Sequence, residues 1–72
     1  MKIKNLANVF QGSVIIYRLI INGHNVRFDE LYDGKLAKLA DEELLNSEIK
    51  LIENIPGSTL RNGVPFLHIK ID

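Results

Sequence analysis

Apolar side chains at Ile3, Leu6, Ala7 and Phe10 recur at the spacing of one helix face, and Gly12 suits a left-handed cap after them. The period then changes. Val14–Ile21 and Val26–Tyr32 are β-branched and aromatic runs that flank Asn22-Gly23-His24-Asn25. Asn-Gly between two such runs predicts a hairpin, because both residues tolerate the positive φ of a tight turn. Asp33-Gly34 predicts the next turn. Leu36, Leu39, Ala40, Leu44 and Leu45 predict a second helix, with Asp41, Glu42 and Glu43 in its first turn, where acids suit the helix dipole. Glu48–Ile55 alternates as a third strand and Phe66–Ile71 as a fourth. Pro56-Gly57 and Asn62-Gly63 are turn dipeptides on either side of a loop over Ser58–Arg61. The expected fold is α+β: one domain over residues 1–72, a four-stranded, mainly antiparallel sheet with two short helices on one face, in the order α-β-β-α-β-β.

Strand alternation divides the sheet into two faces. The more apolar set, expected against the helices, holds Ile15, Tyr17, Leu19, Ile21, Val26 and Phe28 from the first hairpin. It also holds Ile49, Leu51, Leu67, Ile69 and Ile71 from the second. The opposite face then carries Val14, Ile16, Arg18, Ile20, Arg27, Asp29, Lys50, Ile52, Phe66, His68 and Lys70. Two short helices can cover only one side of such a sheet. The other is too apolar to be left to water, so a partner protein or a second copy is the natural cover. Ile16, Arg18, Ile20, Arg27, Phe66, His68 and Lys70 are therefore the partner-binding candidates on the sheet.

Composition narrows the class. Seventy-two residues with 46% hydrophobic and 25% charged side chains describe a small globular domain rather than a disordered chain. The absence of cysteine removes disulfides and thiolate metal sites and is consistent with a reducing cytoplasm. Val14–Ile21, broken by Arg18, is too short to span a bilayer, and Asn5, Asn8 and Gln11 interrupt any signal-like apolar segment. The expectation is a soluble, unexported protein working in the cytoplasm of a host cell. The net charge of zero hides an asymmetry. Lys2, Lys4, Arg18 and Arg27 come before any acid, whereas Asp29, Glu30, Asp33, Asp41, Glu42, Glu43 and Glu48 crowd the segment that follows. That acidic stretch reads either as a solvated face or as the contact for a basic partner, which adds Asp41, Glu42 and Glu43 to the candidates.

No catalytic constellation emerges. Neighbouring acids on a helix point to different sides, so Asp41, Glu42 and Glu43 do not converge on one substrate. Ser13, Ser47, Ser58 and Thr59 lie in no nucleophile motif, and the scattered glycines form no phosphate-cradling loop. The chain reads as a non-enzyme without cofactor. Two other classes stay open. An open sheet bearing Phe66 with Arg18, Arg27 and Lys70 could bind nucleic acid weakly, although the net charge is not basic. His24 and His68 could hold a metal with Asp29 or Glu30, although no metal-ligand spacing joins them.

Leu31–Ile49, LYDGKLAKLADEELLNSEI, taken with the short opening helix, the VIIY strand and the terminal FLHIKI, resembles small, mostly uncharacterised proteins of Gram-positive bacteriophages and mobile elements. The resemblance covers most of the chain through structural motifs and brings no catalytic residues. It implies a protein that binds a host or phage protein and blocks or redirects it. Anti-CRISPR proteins, which block CRISPR effector nucleases, belong to that class, and this is the sharpest form of the expectation. Several of them use an acidic segment such as Asp29–Glu48 to occupy a nucleic-acid site. The zero net charge here confines any such mimicry to a local patch.

Overall fold

The computed structural model describes residues 1–55 and 66–71. In chain order its elements are α1 (Ile3–Ala7), β1 (Ser13–Asn22), β2 (Asn25–Lys35), a 3-10 turn (Leu36–Lys38), α2 (Glu42–Leu45), β3 (Ile49–Ile55) and β4 (Phe66–Ile71). The α+β class and the four strands agree with the hydrophobic pattern. The order differs in one place, where the 3-10 turn takes up Leu36–Lys38 ahead of a second helix of only four residues. Leu36 and Leu39 stand three apart, the repeat of a 3-10 turn, and both are buried. Asp41 then caps α2, its carboxylate accepting from the amides of Glu43 and Leu44 at 3.0 and 3.3 Å.

The first hairpin closes at the Asn22–Asn25 pair over Gly23-His24, and Gly23 takes the φ of 63° that a tight turn needs there. Gly12 is not the left-handed cap expected for α1, which ends instead at Asn8 in right-handed geometry (φ −74°, ψ −19°). Gly12 has another use, since the Phe10 ring folds over it and a Cβ would lie 2.6 Å from Phe10 Cζ. Asp33-Gly34 does not turn the chain either, because β2 runs through both to Lys35. The turns expected at Pro56-Gly57 and Asn62-Gly63 lie outside the described residues.

The sheet order is β2-β1-β4-β3, and the sheet is mixed rather than mainly antiparallel. β1 pairs antiparallel with β2, and β3 with β4, but the central ladder between β1 and β4 is parallel. Each hairpin supplies one half, and the segment from Leu36 to Glu48 crosses one face to join them. Together with α1 it makes the one covering layer among the described residues. The chain measures 36 × 30 × 17 Å along its principal axes, and the short dimension accommodates one sheet and one layer of cover.

The central ladder decides which side is the core. It sets Val14 beside Leu67 and Ile16 beside Ile69, and these side chains pack with Ile3, Leu6, Leu36, Leu39 and Ile71. The second hairpin turns Ile49, Leu67, Ile69 and Ile71 to the core as its pattern predicts, Ile69 and Ile71 fully buried and Ile49 and Leu67 partly so. The first is inverted: Val14 and Ile16 are fully buried, and Ile15, Tyr17, Leu19, Ile21, Val26 and Phe28 occupy the opposite face. Two bulges add local slips. Leu31 is the extra residue of β2, so Leu31 and Tyr32 both pack on the core. Lys50 is the extra residue of β3, which turns Leu51 outward and brings Ile52 to the covered side.

Face assignment gives a direct test. Ile16→Ala should lower the unfolding free energy by about 2–5 kcal/mol, a large share of what so small a domain has. Ile21→Glu should leave the urea midpoint nearly unchanged, since Ile21 is 68% exposed. Comparable losses at both positions would contradict this core. Removing the α2 cap with Asp41→Ala should cost about 1 kcal/mol in the same urea titration.

Candidate interaction surface

Cross-strand pairing fixes what the uncovered face displays. Side chains opposite one another in a ladder share a face, so Ile15 groups with His68, Tyr17 with Lys70 and Glu30, Leu19 with Phe28, and Ile21 with Val26. Beyond β4, Leu51 and Glu53 of β3 extend the same face. At its centre Tyr17 is buried although none of the described helices covers it. The Phe28 ring meets it edge-on at 5.4 Å and 69°, and the His68 imidazole lies over it at 4.2 Å. Burial under these rings, reinforced by the nearby Glu53 carboxylate, raises the Tyr17 hydroxyl above its ordinary pKa of 10.0.

Around this stack the surface is apolar and wet. Ile21, Val26 and Phe28 are 68, 59 and 70% exposed, and Leu51 is 46% exposed. Most of this exposure lies on an arm. β4 pairs with β1 only from Ser13 to Arg18, so Leu19–Asn22 and their β2 partners project beyond it as a two-stranded ribbon. At about 3.3 Å per residue the ribbon reaches roughly 13 Å past the last β4 contact. Two bare strands are marginal in water, and apolar groups at their tip are a feature to be explained by what they meet.

The sequence-derived candidates separate into three groups. Phe66, His68 and Lys70 lie on the uncovered face as expected, although Phe66 is buried there. Ile16 belongs to the core and cannot meet a partner. Arg18, Ile20 and Arg27 turn to the covered side. Arg18 lines a cleft of about 180 Å³ with Leu31, Leu44, Ser47, the capping Asp41 and Glu43 of α2. Ile20 and Arg27 line another, of about 220 Å³, under the arm with Asn22 and Asn25. Glu42 is exposed beside the first cleft without lining it. Pattern reading missed Tyr17, Phe28 and Leu51, whose alternation with Phe66–Lys70 was visible but whose register with β4 was not.

The Asp41 carboxylate is engaged as a helix cap, and the cleft it lines is open. No group of three or more histidine or acidic side chains placed to hold a metal occurs among the described residues. His68 pairs with Ile15 while His24 sits in the distant turn, about 25 Å further along β1 at the rise of a strand. None of the described helices is long and apolar enough to cross a membrane.

The Tyr17 environment predicts an alkaline limit. Its folded pKa is raised above the unfolded value, so the contribution is complete below about pH 10 and is lost as pH climbs through the folded pKa. Tyr17→Phe should remove that part of the alkaline fall in stability, measured as the urea midpoint between pH 8 and roughly 11.5. An identical pH profile in the variant would show that Tyr17 is not held protonated by the fold.

Compared with protein families, curated proteins and solved structures, the chain matches none.

Proposed function

We propose that the protein is a non-enzymatic binding module whose working surface is the uncovered sheet face, and that it blocks or redirects the protein it binds. One observation carries the reading: Ile21, Val26, Phe28 and Leu51 are exposed together around the Tyr17–His68 stack. Aromatic anchors among aliphatic side chains, ringed by polar groups, are the usual make-up of a protein interface core. The rim here is acidic, with Glu30, Asp33 and Glu53 against Lys70, so the fitting partner offers an apolar patch edged by basic side chains. The narrower form, blockade of a CRISPR effector nuclease by a phage protein, rests on the sequence resemblance alone and supplies the first partner to try.

Nucleic-acid binding loses support on this face. Arg18 and Arg27 belong to the covered side, and Lys70 stands among acids. Phosphate neutralisation drives such affinity, so so few cations keep it in the non-specific range of about 10⁻⁴ to 10⁻⁶ M at physiological salt.

The test compares baits. Wild type, Leu51→Glu and Phe28→Ser, each shown to be folded, are immobilised and exposed to a Gram-positive host lysate and separately to a purified CRISPR effector nuclease. A protein retained by wild type and lost by both variants is the expected result. Retention that ignores both substitutions moves the interface elsewhere. A gel shift of duplex DNA or single-stranded RNA by wild type at low micromolar concentration would replace this reading with nucleic-acid binding.

A further inference from the structure

We infer that two copies of this chain join edge to edge through β2, antiparallel about a two-fold axis at Phe28, so that their sheets run together as one. The inference goes beyond the proposed function: it uses the rim of the sheet, and shares with the uncovered face only Val26, Phe28 and Glu30, which lie where edge and face meet.

The order β2-β1-β4-β3 leaves two edges. The β3 edge is obstructed at its start, where Lys2 bridges Glu48. Among the described residues no such bridge lies on the β2 edge along the arm. Its hydrogen-bonding groups follow from the turn. With Asn22–Asn25 as the closing hydrogen-bonded pair, alternate residues of β2 turn their amides and carbonyls away from β1, beginning with Val26 and continuing at Phe28 and Glu30. The Leu31 bulge then ends the regular edge. Val26–Glu30 is thus a short, straight strip with its outward groups at the first, middle and last positions.

Only one register suits a copy of itself. In an antiparallel pair the two-fold falls on one residue of the strip; centres at Arg27 or Asp29 set like charges directly against each other, which leaves Val26, Phe28 and Glu30. A centre at Glu30 sets like carboxylates against each other and runs into the bulge. A centre at Val26 pairs Phe28 with the turn residue His24. A centre at Phe28 sets Phe28 against Phe28 and Val26 against Glu30, all by outward groups, for about six backbone hydrogen bonds. On the other face it sets Arg27 against Asp29 twice, so the strip is complementary in charge to itself. The exposed Phe28 ring is then covered by its equivalent. Such a contact is small, and the expected dimer is a weak one, with a dissociation constant of about 10–100 µM.

Sedimentation equilibrium over roughly 5–500 µM should reveal a monomer–dimer equilibrium in that range. Arg27→Asp, which opposes carboxylates on both sides, should weaken it at least about tenfold, and adding Asp29→Arg should restore it. Asp29 also faces Arg18 within the chain, so register is read independently by cysteines placed in this cysteine-free sequence. Phe28→Cys should cross-link to itself on mild oxidation. Val26→Cys should cross-link with Glu30→Cys in a mixture and not with itself. A wild type that stays monomeric throughout overturns the inference. So does a dimer that Leu51→Glu abolishes and Arg27→Asp leaves intact, since Leu51 lies on the opposite edge strand and reports face-to-face packing.

Discussion

The parallel ladder between β1 and β4 is the constraint on which the rest of this molecule depends. Each hairpin alone is a two-stranded ribbon with apolar side chains on both faces, and such ribbons are marginal in water. Pairing their inner strands places Val14 and Ile16 alongside Leu67 and Ile69, and makes one continuous apolar strip wide enough to be worth covering. The covering layer is assembled from short pieces: Ile3 and Leu6 from α1, Leu36 and Leu39 from the 3-10 turn, with Leu44 and Leu45 of α2 at the margin. Helices of five and four residues would not persist alone, so their stability is borrowed from this packing.

The described residues supply one layer of cover, and the sheet has two sides. The second side is apolar for the same reason that the first is. β-branched and aromatic residues make the strands, and they cannot all point inward when every strand alternates. Tyr17 resolves part of this locally by burying itself between Phe28 and His68. The arm cannot do the same, since beyond Arg18 it has no β4 neighbour. The exposed apolar surface is thus the remainder left by an incomplete core.

Charge is distributed by the same geometry. Arg18 and Arg27, read along the sequence as basic residues of an open platform, are turned to the covered side. Arg18 there shares a cleft with Asp41 and Glu43. The acids of β2 and β3 remain with Lys70 around the apolar face, which weighs against the alternative of a nucleic-acid partner and, under the proposed function, favours a protein with a basic rim.

The sequence by itself determined the first helix and the four strands. Asn-Gly placed the first hairpin, the FLHIKI alternation placed β4 to the residue, and Asp41 with the acids after it marked the start of α2. These are local signals, carried by a turn residue, a period of two and a capping side chain. Which side of the first hairpin is the core was not local. Val14, Ile16 and Ile20 alternate with Ile15, Tyr17, Leu19 and Ile21, so either face could be buried, and a slip of one residue exchanges them. That choice fell to the register with β4, a contact between segments some fifty residues apart. The bulges at Leu31 and Lys50 were equally invisible, because an extra residue leaves composition and period almost unchanged while turning every later side chain over. Only the tertiary structure could decide between two apolar faces, since the difference lies in what each face meets.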